Sequence, residues 1–226
     1  MTGDLETLKQ ALLTHSTPEA AKKMSAYMLN QFEFLGINTP LRRQLSQAFI
    51  KNAASEPVEI ILKLVNELWQ FPQREMQYIA IDLMQQSYKK LTISDVPEII
   101  NLAVQKSWWD SVDGLAAVCN KILRLANKIE YTQLLQEAIA SENLWVRRIA
   151  ILHQLGWKQQ TDTTLLYSFA LQNAIEKDFF IRKAIGWSLR DYAKYDSANV
   201  YAFIDSNKPL FSGLTYREAT KHRILT

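Results

Sequence analysis

Cysteine occurs once, at Cys119, so no internal disulfide can form. His15, His153 and His222 are the only histidines and lie far apart, without the spacing of a metal-ligand cluster, so no metal is expected. Six glycines and six prolines are too few for the turns of a many-stranded β protein, and no stretch alternates convincingly with period two. No apolar run approaches the roughly eighteen residues of a membrane span. The opening MTGDLETLKQ lacks the basic start and apolar core of a secretory leader. A cytoplasmic protein without membrane contact is therefore expected.

What the chain does have is enough apolar material to bury a core, 48% of 226 residues, read as a single domain over 1–226. Helical spacing predicts helices over 3–15, from Thr17-Pro18-Glu19, and from Thr39-Pro40, then over 55–69, 72–88 and 95–104. Ser107 is suited to cap a helix beginning at Trp108 and carrying Cys119 in its core. Further helices are expected over 130–140, 143–155, 162–174, 179–194 and 198–205, with a short one near Thr215. The fold class is all-α. The net charge of +3 is modest, but basic residues come in doublets, among them Arg42-Arg43, Arg147-Arg148 and Arg182-Lys183. Aligned on one face, such doublets would meet phosphates; unaligned, they are ordinary solvated surface.

Segments LWVRRIAI (144–151), FFIRKAIG (179–186) and LTYREA (214–219) repeat, with Arg147, Arg182 and Arg217 each 35 residues apart and an earlier copy near Phe71–Glu75. Helix pairs recurring at this period stack as a HEAT-like helical-repeat solenoid, whose inner helices would line a concave basic groove. Equivalent positions then bring Asp113, Arg148 and Trp187 toward one place. In the stretch KSWWDSVD (106–113), Trp109 and Asp113 are four apart and share a helix face, as do Trp187 and Arg190, three apart. The plain alternative makes these tryptophans core and the acids solvated first-turn residues; pattern alone leaves Trp187 evenly balanced between core and groove. Trp69, Trp145 and Trp157 read as core, and Arg147 as a bridge between repeats or a cover of apolar surface by its stem.

FLGINTP (34–40), KSWWDSVD (106–113), NLWVRRIAILHQL (143–155) and FFIRKAIGWSLRDYAK (179–194) resemble the AlkD-type DNA alkylation repair family of HEAT-like DNA glycosylases over nearly the whole chain. The resemblance implies hydrolysis of the N-glycosidic bond of N3- or N7-alkylated purines in duplex DNA, without base flipping and without a cofactor. It makes Asp113 the catalytic carboxylate, and Trp109 and Trp187 the rings beside the lesion's deoxyribose. Arg148 becomes a cleft arginine near the DNA backbone, and Tyr27 a tyrosine near the strand. Asn38 stands where the family often carries glutamine, at a DNA contact. Arg190, on the Trp187 face, joins the DNA-binding set. The partner implied is alkylated double-stranded DNA, with the protein a nucleoid-associated monomer needing no protein partner. A non-catalytic scaffold that binds DNA or protein is the competing reading.

Overall fold

The computed structural model describes residues 2–223, and thirteen α-helices make up their regular structure together with two short 3₁₀ turns. No strand forms among the described residues; Glu33 and Gln73 make an isolated parallel bridge. The chain divides into two compact units, Met1–Leu91 and Thr92–Thr226. The first holds α1 (Thr2–Thr14), α2 (Pro18–Tyr27), α3 (Thr39–Ala53), α4 (Val58–Gln70) and α5 (Arg74–Ser87). The second holds α6 (Val96–Leu102), α7 (Trp109–Leu123), α8 (Lys128–Ile139), α9 (Leu144–Leu152), α10 (Thr163–Gln172), α11 (Phe179–Tyr192), α12 (Ser197–Ser206) and α13 (Gly213–Ala219).

The repeat runs further along the chain than the arginine spacing suggested. Helices α3, α5, α7, α9 and α11 begin at Thr39, Arg74, Trp109, Leu144 and Phe179, each 35 residues after the last, and α13 begins 34 after α11. Within the second unit α7 packs on α9, α9 on α11 and α11 on α13, while α8, α10 and α12 lie against this row. A residue on one helix of the row therefore meets its own repeat equivalent on the next. Asn120 Nδ2 donates to Leu155 O at 2.8 Å, and Gly156 N to Asp191 Oδ2 at 2.6 Å, both across 35 residues. The fold is thus the expected all-α helical-repeat solenoid class.

Polar caps set most of these starts. Asn143 accepts from Trp145 N, Asp178 from Phe180 N and Ile181 N, and Ser212 from Thr215 N, each satisfying amides that a helix start leaves unpaired. Thr17 precedes α2 without a side-chain cap. Ser107 does not cap α7: its hydroxyl turns back to donate to Ala103 O at 2.7 Å, and the helix starts at Trp109, with Trp108 extended ahead of it. Lys106, at φ 49°, takes the left-handed turn that makes this reversal.

In the first unit the apolar loop Phe34–Ile37 is held by a carboxylate rather than by apolar packing alone. The buried Glu75 accepts from the backbone N–H groups of Leu35, Gly36 and Ile37 at 3.0–3.2 Å. Gly36 is required there: φ is +84°, and an added Cβ would lie 2.2 Å from Thr17 O. Trp69, Trp145 and Trp157 are buried, as the pattern indicated. So is Cys119, whose thiol burial pushes up to about 12, leaving it unreactive.

His153 lies in the core of the second unit, edge-on to Trp157, with Nδ1 2.6 Å from Ala150 O. Burial lowers its pKa to about 4. The unfolded chain then takes up the proton first, so this stability is complete above the ordinary histidine value and is lost as pH falls from about 6.5 toward 4. Urea unfolding should show about 2 kcal/mol less stability at pH 5 than at pH 7.5 from this group. His153→Gln should remove that component, and an unchanged pH dependence in the variant would refute it.

Candidate active site

Helix α7 presents Asp113 one turn after Trp109, on the same face. The helix is anchored by Val112, Leu115, Ala116, Val118 and Cys119 on its buried side, which leaves Trp109 and Asp113 half-buried at its start. Arg148, the repeat equivalent of Asp113 on α9, meets that carboxylate with both prongs. Its Nε lies 2.7 Å from Oδ1 and its NH2 2.9 Å from Oδ2, while NH1 donates to Phe180 O on α11 at 2.5 Å. One side chain thus joins three successive helices of the row. The Arg148 side chain is 5% exposed and that of Asp113 21%, so the carboxylate keeps an open edge and the guanidinium does not.

The electrostatics follow from that asymmetry. Burial pushes the Asp113 carboxyl above its ordinary value, the Arg148 guanidinium pulls it back, and Asp110 adds a smaller upward push. A guanidinium bonded to both oxygens stabilises the charged form, so Asp113 is ionised at neutral pH. Beside the pair lies a ring cluster. Trp108 sits 5.1 Å from Phe180 and 5.9 Å from Trp145, and Trp145 is 5.0 Å from Phe180, all centroid to centroid. Trp108 is thus part of this packing. Sequence spacing could not show this, because Trp108 lies in extended backbone ahead of the helix.

The remaining expected residues fall as follows. Trp187 is half-buried on α11, between the two readings that pattern left open. Arg190 on the same helix is tied to α13, donating to Glu218 O at 2.8 Å and Glu218 Oε2 at 2.6 Å. Arg148, expected to face a DNA strand, has its guanidinium committed inside the protein. Arg147 bridges as expected: it donates to Ser141 O and Glu142 O and pairs with Glu176 at 2.6 Å. In the first unit Tyr27 is 72% exposed and lines an open cavity of about 340 Å³ with Met24, Met28, Phe34 and Tyr78, a hollow that no local pattern announces. Asn38 is exposed and caps α3, its Oδ1 accepting from Leu41 N at 3.0 Å. The Thr-Pro that follows it was the signal for that capping role. Among the described residues no group of three or more His, Cys, Asp or Glu side chains could hold a metal ion, and no helix is long and apolar enough to cross a membrane.

Arg148→Ala strands a mostly buried carboxylate and a carbonyl at once, and should cost about 3 kcal/mol in urea unfolding. Arg148→Lys should recover little, since an ammonium cannot hold both oxygens and Phe180 O together. A variant as stable as the parent would show that the pair contributes nothing to the packing of α7, α9 and α11.

The family described as "DNA alkylation repair enzyme" matches residues 8–222. A solved structure described as "Predicted DNA alkylation repair enzyme from Enterococcus faecalis" is 34% identical, covers 93% of this chain and 98% of its own, and superposes with a TM-score of 0.85. No curated protein gives a significant sequence match. A family match over nearly the whole length, on the segments that build the Asp113 site, means that the chain belongs to the AlkD-type DNA alkylation repair family.

Proposed function

We propose that the protein is a monofunctional DNA glycosylase that hydrolyses the N-glycosidic bond of N3- or N7-alkylated purines in duplex DNA. The observation that carries this reading is the Asp113 carboxylate, open on one edge, held by Arg148 through both oxygens and placed one turn from Trp109.

Alkylation at N3 or N7 makes the purine cationic, so the C1′–N bond breaks with its electron pair going to a base that departs neutral. Positive charge then develops on C1′ and the ring oxygen of the sugar. An ionised Asp113 stabilises that charge, and its fixed orientation means that no reorganisation is needed as the charge appears. A water adds to C1′; its proton passes to the Asp113 carboxylate and on to solvent. The indole of Trp109, beside the sugar, favours the same cationic character. Trp187 supplies a second such ring in this reading. Because the leaving base already carries its charge, no general acid has to reach it, and the reaction proceeds without a pocket for a flipped base. It requires no cofactor.

The competing reading is a scaffold without catalysis. It is favoured by the bond from Arg148 to Phe180 O, which makes the charged pair a lock between helices. Release of free 7-methylguanine or 3-methyladenine from methylated DNA separates the two. The purified protein should release them, and Asp113→Asn should lower single-turnover release by about 100-fold or more. Its duplex affinity should stay equal or rise, because the lost charge repels phosphate in the ground state. Binding without release by the parent protein would assign the scaffold, and full release by a folded Asp113→Asn would remove Asp113 as the catalytic group.

A further inference from the structure

The fifth position of successive helices in the second unit forms a column of charges. It holds Asp113 in α7, Arg148 in α9 and Lys183 in α11, and 35 residues further on stands Glu218 in α13. As Asp113 meets Arg148, so Lys183 meets Glu218, with Nζ 2.8 Å from Oε1. The other oxygen of Glu218 holds Arg190 at 2.6 Å. Lys183, Trp187 and Arg190 are spaced i, i+4, i+7 and so form one stripe of α11. Between them Gly186 lets α13 come close: a Cβ there would lie 2.4 Å from the Cβ of Glu218 and 2.9 Å from Thr215 O. One carboxylate thus serves two cations on either side of Trp187.

The two cations are held differently. Arg190 is 19% exposed and also donates to the backbone oxygen of Glu218. Lys183 is 37% exposed and bonds to a single carboxylate oxygen. A flexible ammonium with three donors can exchange that oxygen for another anion, whereas the doubly anchored guanidinium stays and keeps Glu218 neutralised. Packed helices lie about 8–10 Å apart, so Lys183 stands one helix step along the column from Arg148. This is where a strand whose sugar faces Asp113 would carry a neighbouring phosphate. With Arg148 committed to Asp113, Lys183 is the cation of the column still able to leave its partner.

We infer that Lys183 is a DNA-phosphate contact and that Glu218 is its internal counterion, holding it beside Trp187 until a phosphate takes the place of the carboxylate. The inference rests on the DNA glycosylase reading above.

Duplex affinity measured by fluorescence anisotropy across a salt series, on methylated and unmethylated DNA, tests it. Lys183→Gln should make the slope of log affinity against log salt shallower by about one, equally on both duplexes. Glu218→Gln should raise affinity about fivefold by removing the competing anion, with the slope retained. In the Lys183→Gln background that gain should largely vanish. An unchanged slope in Lys183→Gln would overturn the inference, as would a Glu218→Gln gain independent of Lys183. Either result would leave Glu218 as a clamp between α11 and α13. Should Glu218→Gln fail to fold by circular dichroism, the Lys183→Gln slope decides alone. Base release by the parent protein, followed in parallel, reports on the glycosylase reading separately: loss of that reading shows as absent release, loss of this one as an unmoved slope.

Discussion

A carboxylate largely removed from water stays charged only if something inside the protein replaces its hydration, and for Asp113 that replacement is Arg148. The guanidinium bonds to both oxygens and uses its remaining arm on Phe180 O, so charge and geometry are set by the same side chain. Such a pair needs the two residues to face each other across adjacent helices, and the repeat ensures this. With helices starting every 35 residues, position five of α7 looks at position five of α9. One residue more or less in either turn would rotate the partner by about 100° and separate the pair. The repeat length is thus a constraint on the chemistry as much as on the packing.

The same arithmetic governs one further pair of charges and not the rest. Lys183 and Glu218 pair across 35 residues, while Arg42 reaches Asp82 and Arg147 reaches Glu176 by other routes. Of the arginine doublets that suggested a phosphate-binding stripe, Arg42 of the first and both Arg147 and Arg148 of the second are drawn into ion pairs inside the protein. Attraction for DNA then depends less on the total of cations than on which of them can leave a partner.

Much of the fold was legible from the amino-acid order, because helix spacing, few turn residues and the recurrence of Arg147, Arg182 and Arg217 all pointed one way. Asp113 and Trp109 were legible as a pair on one face because four residues is about one helical turn. The commitment of Arg148 was not, since a local pattern reveals neither the partner of an arginine nor its burial. Nor was the role of Ser107, whose hydroxyl had a nearer acceptor in Ala103 O than the amides of α7. The place of Trp108 in the ring cluster needed the extended backbone ahead of α7, which composition does not encode. Glu218 was overlooked because its significance lies in two cations 28 and 35 residues away.

The account comes down to whether an ionised Asp113, held by Arg148, is what breaks the glycosidic bond. The most direct measurement is the pH dependence of single-turnover 7-methylguanine release, set beside the titration of the Asp113 carboxyl carbon by ¹³C NMR in the same protein. The account predicts that Asp113 is ionised at neutral pH and titrates above the ordinary aspartate range, with release falling as pH drops through that same transition. A release rate indifferent to the ionisation of Asp113, or a carboxyl already protonated while release is at its maximum, would contradict it.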